Sequence, residues 1–374
     1  MKKIRVGVIG AGARGGGFIR YHFTNSTDYE LVSVVEPSEF WLREAFPNGL
    51  GGVRRDKDWR KMLKSDDFEL AVITTPDHLH EELAAAAFRA GKHVFCEKPL
   101  ALTPGGCLKV IRAARKARKK LIIGFVLRYA PLFIKMKELV DRGAIGKLCG
   151  VWMLHSIASA SDWYFHDWHG LSKCTNSLLL QKGSHDFDVI NWIVGARPKR
   201  VAAFAARHYF GGTMPNTLVC PECAIRRTCP EFQTGPRTQC AFRREIDVDD
   251  NHVVIIDYAS GVKASYNECH FTPEDNREYI FIGTKGKLYL NWARKWIRVE
   301  ERWGRQPLRE YRVTGRGGHG GGDAGLLKDL VKCIRSGGDP VAGSESGYLS
   351  ILVAEGAVRS IREGRIVDLS KGSK

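Results

Sequence analysis

Residues 3–15, Lys3-Ile4-Arg5-Val6-Gly7-Val8-Ile9-Gly10-Ala11-Gly12-Ala13-Arg14-Gly15, decide how the first third of the chain is read. An apolar run of β type, Ile4 to Ile9, ends in Gly10-x-Gly12-x-x-Gly15, and a helical pattern follows at Gly17 to Phe23. The glycines permit a tight turn and close approach of backbone to a pyrophosphate, and a helix N-terminus supplies N–H donors. Glu36 stands 21 residues beyond Gly15, at the end of the next apolar run, Leu31 to Val35. A carboxylate there accepts from a ribose 2′-hydroxyl and repels a 2′-phosphate, so the pattern predicts a dinucleotide site that prefers NAD to NADP. The fingerprint recurs at Gly315-x-Gly317-x-x-Gly320 and Gly320-x-Gly322-x-x-Gly325. Neither repeat follows a parallel strand or opens a βαβ unit, so together they read as a mobile glycine loop.

Outward from this stretch, strand-like runs at Leu70 to Thr74, His93 to Cys96 and Leu121 to Phe125 alternate with helical patterns at Trp59 to Leu63, Leu79 to Ala90 and Thr103 to Lys119. Such alternation means right-handed βαβ units and a doubly wound parallel sheet, an α/β Rossmann domain over residues 1–125. Farther on the texture changes to longer alternating strands: Cys149 to Ile157, Arg200 to Arg207, Val253 to Tyr258, Val262 to Asn267, Tyr279 to Ile282 and Leu288 to Asn291. Turns such as Ala259-Ser260-Gly261 and Thr284-Lys285-Gly286 mark antiparallel connections. One helix is expected from Ser177 to Val194, and two more, Asp323 to Ile334 and Ser346 to Ile361, close the chain. Residues 126–374 therefore read as an α+β domain with a large, mainly antiparallel open sheet, suited to substrate binding and to assembly into a homodimer or homotetramer.

With 374 residues, 44% hydrophobic and 26% charged, the chain has the composition of an ordinary globular protein. No apolar stretch approaches the ~20 residues a membrane span needs, and the N-terminal apolar segment is too short and broken for a signal peptide. The cytoplasm is the expected compartment. The net charge of +17 suits an acidic small substrate as well as nucleic acid or an anionic membrane. The densest basic run, Arg112 to Lys120, alternates with Val110, Ile111, Ala113, Ala114 and Ala117 at helical spacing and lacks the aromatic residues of a base-stacking platform. It reads as a solvated helix face, and neither nucleic acid nor membrane is expected as a partner.

Thr74-Thr75-Pro76-Asp77-x-x-His80 and Gly91-Lys92-His93-Val94-Phe95-Cys96-Glu97-Lys98-Pro99 resemble the Gfo/Idh/MocA superfamily, which includes glucose-fructose oxidoreductase and inositol dehydrogenase. The resemblance continues through Gly124-Phe125 with Arg128-Tyr129, Gly183-Ser184-His185-Asp186-Phe187-Asp188 and Ile282-Gly283-Thr284-x-Gly286. It implies cofactor contacts from Gly10, Gly12, Ala13, Arg14, Gly15, Glu36, Thr74, Thr75, Pro76, His80, Glu97 and Lys98, with Lys98 and His185 as the catalytic pair. Lys98 would stand at the carboxyl end of a parallel strand, where doubly wound sheets bind ligands, and His185 titrates near the pH at which a hydroxyl proton must be accepted. The family commonly carries an Asp four residues before the catalytic His; this chain has Gln181 there, followed by Lys182. The family's Asn in the Gly124 segment is replaced by Val126.

Further candidates for substrate contact are Arg128, Tyr129, Trp163, Tyr164, His166, Trp168, His169, Gln181, Lys182 and His319. The resemblance implies an NAD-dependent oxidoreductase that removes hydride from a secondary hydroxyl of a sugar, sugar acid or cyclitol, and an anionic substrate would suit the charge. A redox-neutral NAD-dependent glycosidase and a non-catalytic NAD sensor are the alternatives. Separately, Cys220-x2-Cys223-x5-Cys229-x10-Cys240 sits in the aperiodic stretch from about 210 to 250. Its density is that of a four-thiolate zinc clip, though disulfides and unconnected thiols remain open.

Overall fold

The computed structural model describes residues 2–159, 161–304 and 307–370. In chain order the first elements are β1 (Ile4–Ile9), α1 (Ala13–Phe18), β2 (Tyr29–Val35), α2 (Glu39–Ala45), β3 (Arg54–Arg55), α3 (Trp59–Leu63), β4 (Leu70–Ile73), α4 (His80–Arg89), β5 (His93–Cys96), α5 (Pro104–Ala117) and β6 (Leu121–Ile123). There follow α6 (Pro131–Asp141), β7 (Leu148–Ser156), α7 (Ser172–Thr175), α8 (Leu178–Gln181), α9 (Ser184–Val194), β8 (Pro198–Ala206), β9 (Asn251–Tyr258) and β10 (Lys263–Cys269). The chain closes with β11 (Asn276–Gly283), β12 (Gly286–Asn291), β13 (Trp296–Glu301), β14 (Arg309–Arg312), α10 (Gly322–Ser336), α11 (Ser344–Glu363) and β15 (Val367–Asp368).

The chain forms two compact units: residues 1–129 with 317–351, and residues 130–316 with 352–374. The first contains a six-stranded parallel sheet in the order β3-β2-β1-β4-β5-β6. Val6, Val8 and all of β4 are buried, because helices cover both faces of such a sheet and its central strands can be apolar throughout. Helix α5 starts where the sequence places it, with the Thr103 hydroxyl accepting from the Gly106 N–H and Pro104 in the first turn.

Residues 317–351 belong to this unit although they lie far along the chain. A side chain at Gly322 would collide with the Val126 carbonyl, and one at Gly325 would lie 2.9 Å from the Tyr129 Cβ, so glycines let α10 pack directly on residues 126–129. Of the stretch read as a mobile loop, Gly318–Gly321 form one 3₁₀ turn and Gly322 and Gly325 lie in α10.

The second unit contains a nine-stranded sheet in the order β14-β13-β12-β11-β7-β10-β9-β8-β15. Strands β7 and β10 pair in parallel and the other neighbours are antiparallel. One face exposes apolar residues from three strands, β8, β9 and β7, with Asn267 and Ser265 of β10 between them. Phe204, Val253 and Leu154 lie along one row of the register, Ile255 and Trp152 along the next, and Phe204 and Trp152 are 76% and 56% exposed.

Candidate functional site

In the nucleotide unit the three fingerprint glycines have different duties. Gly10 sits at φ +92°, and a Cβ there would lie 2.9 Å from the Thr74 carbonyl; at Gly15 it would collide with the Gly10 carbonyl oxygen. Both serve the turn itself, which the Thr74 hydroxyl closes by donating to Gly10 O at 2.5 Å. At Gly12 nothing lies within 4 Å of the Cβ position, so this backbone is clear for a ligand. Glu36 ends β2 beside the turn, accepting from the Ala11 N–H at 2.7 Å and the Ser38 N–H at 2.8 Å. The glycines and the acidic residue thus fit a dinucleotide.

Several residues read as cofactor contacts are bonded to one another. Arg14 donates to Glu97 Oε1 at 2.6 Å and makes a two-pronged pair with Asp323 at 2.7 and 3.0 Å. Burial raises the Asp323 carboxyl, but His319 and Arg14 outweigh it and hold the group well below the usual carboxylate range. The other Glu97 oxygen accepts from the Lys98 N–H at 3.0 Å. His80 is buried with its ring nitrogens on the carbonyls of Pro99, at 2.7 Å, and Thr75, at 2.9 Å, so it braces the Thr75-Pro76 turn against the segment following Lys98. Lys98 itself lies two residues past the end of β5.

Arg128, Tyr129 and His319, expected at the substrate, also belong to this unit. Tyr129 is buried, its hydroxyl donating to Asp329 at 2.8 Å and accepting from the Ala342 N–H at 3.1 Å, while Arg128 donates to Val341 O at 3.0 Å. His319 lies 3.3 Å from the Asp323 carboxylate.

The second unit gathers its candidates where α8 meets α9. The helix expected from Ser177 to Val194 is broken at Lys182–Gly183. A Cβ at Gly183 would lie 2.6 Å from Leu179 O and 3.1 Å from Glu268 Oε2, so only glycine allows this tightened turn against β10. Gln181 closes α8, Lys182 forms the break and His185 opens α9. Lys182 places its ammonium 5.2 Å from the centre of the Tyr164 ring, a cation–π contact. The Tyr164 ring meets His169 and His270 edge-on, at 5.8 and 5.3 Å.

His169 is oriented from behind: Asp167 accepts at its Nδ1 at 2.5 Å, and Arg237 holds the other carboxylate oxygen at 3.0 Å. Trp168 stacks on His169 with centroids 3.6 Å apart, and exposed Trp163 carries Arg237 over its ring at 5.2 Å. His166 departs from its expected role. It is buried, with Nδ1 2.5 Å from Gln239 O and 3.8 Å from Cys220 Sγ, so it faces the cysteine-rich segment.

Beneath this group runs a buried charged network that the sequence did not reveal. Asp186, with no exposed surface, meets Arg277 at 2.9 Å, His155 at 2.8 Å, the Tyr279 hydroxyl at 2.5 Å and the Tyr266 hydroxyl at 3.2 Å. Burial pushes the Asp186 carboxyl up, yet Arg277 and His155 prevail and hold it far below its ordinary range. Tyr266 also donates to Glu268, whose other oxygen lies 2.5 Å from His270 Nε2 and 4.0 Å from His252 Nδ1. Burial opposes ionisation of Glu268, but the histidines draw its carboxyl down to about 2. His155, Asp186, Tyr266 and Glu268 thereby tie the first turn of α9 to β7, β10 and β11.

Two family models cover most of the chain: the NAD-binding Rossmann fold of the Gfo/Idh/MocA oxidoreductase family matches residues 4–125, and its C-terminal alpha/beta domain matches residues 137–369. The chain belongs to this oxidoreductase family. Within the family, inositol 2-dehydrogenase 2 of Saccharopolyspora erythraea is 27% identical over 363 residues, 96% of this chain and 94% of that one. Among solved structures, an oxidoreductase domain protein from Kribbella flavida has a TM-score of 0.82 at 22% identity, covering 99% of this chain and 100% of that one. A levoglucosan dehydrogenase in complex with NADH and levoglucosan has a TM-score of 0.79 at 23% identity, covering 98% and 100% respectively. The chain is thus an NAD-binding oxidoreductase by family, with an expected fold that the parallel and mainly antiparallel sheets bear out.

Proposed function

We propose that this protein oxidises a secondary hydroxyl of a sugar, sugar acid or cyclitol, with NAD rather than NADP as its cofactor. The reading rests above all on the cluster at the α8–α9 break, where a lysine over an aromatic ring and an aspartate-oriented histidine accompany the family's His185. Aromatic faces beside hydrogen-bond donors suit a polyol, which is apolar on its C–H faces and polar at its rim. The relatives named for inositol and levoglucosan dehydrogenation support the same substrate class.

NAD, when bound, supplies the hydride acceptor. His185 accepts the hydroxyl proton as the C–H bond breaks, and Lys98 donates a hydrogen bond to the reacting oxygen. Gln181, in place of the family's Asp, orients a hydroxyl without titrating, which leaves the proton to His185. Lys182 engages a negatively charged or strongly accepting group on the substrate. Glu36 disfavours NADP through its carboxylate at the end of β2.

The exposed apolar face of the nine-stranded sheet supports assembly with a second copy of the chain, as a homodimer or homotetramer. A substitution such as Trp152→Glu should then shift the mass measured by light scattering toward the monomer, and an unchanged mass would overturn this assignment.

The test of the catalytic reading is a panel of neutral and acidic sugars, cyclitols and glycosides incubated with enzyme and NAD, read for NADH and for released aglycone. NADH formation supports the proposal. Aglycone release without net NADH indicates a redox-neutral glycosidase, and NAD binding without either product indicates a sensor; both results overturn it.

A further inference from the structure

The segment between β8 and β9, residues 207–250, has neither a helix of more than one turn nor a strand ladder. Its regular structure is a 3₁₀ turn at Cys220–Glu222 and two isolated bridges, Met214↔Arg243 and Val219↔Gln239. So long an aperiodic segment needs some other clamp. Asp250 closes its neck by accepting from the N–H groups of His208, Tyr209 and Phe210 at 2.9, 2.8 and 3.0 Å.

The other end of the segment carries the four cysteines. The Val219↔Gln239 bridge, with Cys220 N–H on Thr238 O at 2.7 Å and Cys240 N–H on Leu218 O at 2.9 Å, sets Cys220 and Cys240 diagonally across it. A tight turn carries the chain back through Cys223, whose N–H donates to Cys220 O at 3.2 Å, and Cys229 follows with its N–H on Ile225 O at 2.9 Å. All four are free thiols, and with His166 they line one cavity of about 250 Å³. Cys220, Cys223 and Cys240 are buried.

Two further observations point to a ligand. Backbone N–H groups face the sulfurs: Phe242 N–H donates to Cys240 Sγ at 3.4 Å, and Gln233 N–H to Cys220 Sγ. Burial pushes both thiols up, and these donors act against it. His166 is buried in the cavity wall, and its Nε2 has no hydrogen-bond partner among the described residues.

We propose that Cys220, Cys223, Cys229 and Cys240 bind one zinc ion as thiolates, and that this clip positions the Trp163–His169 segment. Four sulfur ligands select a soft, tetrahedral ion, and the thiol protons leave to solvent as it binds. The mechanical link is Arg243, which is fully buried. Its guanidinium donates to Phe165 O at 2.5 Å, Asp167 O at 2.6 Å and Cys240 O at 3.1 Å, so one side chain joins the cysteine turn to the residues flanking His166. Phe210 stacks on Phe165 with centroids 3.8 Å apart, and Tyr164, Phe165, Phe210, Ala241 and Ile246 share one apolar core.

The positioning half rests on the sugar-oxidising reading; the metal half does not. The test is elemental analysis of full-length protein purified without added metal, together with intact mass under denaturing conditions. About one zinc per chain and four free thiols at these positions after metal removal are expected. Organomercurial titration of the native protein should release that zinc, and cobalt substitution should give a thiolate-to-metal charge-transfer band. Cys229→Ser, at the half-buried position, should lower zinc content at least several-fold. Absence of a stoichiometric transition metal, a mass showing disulfides, or full zinc retention in Cys220→Ser/Cys240→Ser overturns the site. For the second half, metal loss should raise KM for the sugar while leaving NAD affinity within about twofold. An unchanged sugar KM overturns the positioning role while leaving the metal assignment supported.

Discussion

Replacing Asp186 by Asn tests whether the buried network holds α9. The carboxylate is the shared acceptor for Arg277, His155 and Tyr279, and the Tyr266 hydroxyl, which gives its proton to Glu268, lies 3.2 Å away. An amide keeps one oxygen for Arg277 and Tyr279, but turns an NH₂ toward His155 and Tyr266 and removes the charge opposite a buried guanidinium. The Tyr266 hydroxyl and a neutral imidazole can each accept, so the larger loss is electrostatic. Breaking one side of a buried pair costs about 3–5 kcal/mol. For a unit of roughly 200 residues, at about 2–4 °C per kcal/mol, Tm should fall by ~6–20 °C. Circular dichroism melting measures this directly. Arg277→Met in the Asp186→Asn background should recover part of the loss, because the uncompensated cation is then gone. A Tm within about 2 °C of wild type for Asp186→Asn would refute the reasoning. So would a double variant less stable than additivity requires.

Lys98→Met and His185→Ala should each lower turnover by about 10²–10⁴ while the protein stays folded and binds NAD in calorimetric titration; near wild-type turnover in either removes that residue from the chemistry. Gln181→Asp, which restores the family residue, should retain activity, and its inactivity would show that an uncharged side chain is required there. Glu36→Gln should narrow the preference for NAD over NADP while retaining one acceptor for the backbone N–H groups at positions 11 and 38, as calorimetry with both cofactors can show; an undiminished preference refutes the role. His155 and His252 are pushed down to about 4, by burial first, so the unfolded chain binds more protons between about pH 6.5 and 4. Stability from these two groups is therefore present above that window and declines through it, followed by the Glu268 and Asp186 contributions below about pH 4.5. Denaturant midpoints measured across this range check the sign, and a midpoint that rises as pH falls from 6.5 to 4 contradicts it. Lys182→Ala should raise KM for an acidic sugar only, and added salt should lower kcat/KM for that sugar more than for its neutral analogue; equal effects on both would sink the anionic-substrate proposal.

The nucleotide unit was legible because its signals are local. A strand period, a glycine turn and Glu36 occur within 36 residues, and the Pro104 start of α5 lies next to its cap. The break at Gly183 was not, since the residues around it are apolar at helical spacing and the close approach of Leu179 O that demands glycine exists only once the turn has tightened. Asp186 was visible as part of a motif but not as an anchor, because its partners at 155, 266, 277 and 279 meet it only when β7, β10 and β11 pair. Short elements such as α2 and β3 carry too little periodicity to be read, and α10 returns to the first unit through clearance at Gly322 and Gly325 that no local pattern announces. The position of His166 beside Cys220 was not legible, because its neighbours Gln239 and Cys220 lie more than 50 residues away in sequence.

The central claim is that the chain catalyses NAD-linked oxidation of a polyol hydroxyl. Its most direct test is NADH absorbance on mixing purified enzyme, NAD and the sugar–cyclitol panel, with Lys98→Met and His185→Ala in parallel. Net NADH from at least one sugar, sugar acid or cyclitol is expected, with far less from NADP and a loss of about 10²–10⁴ in both variants. Substrate turnover with no net NADH, or NADH formation undiminished in the His185 variant, would contradict the claim.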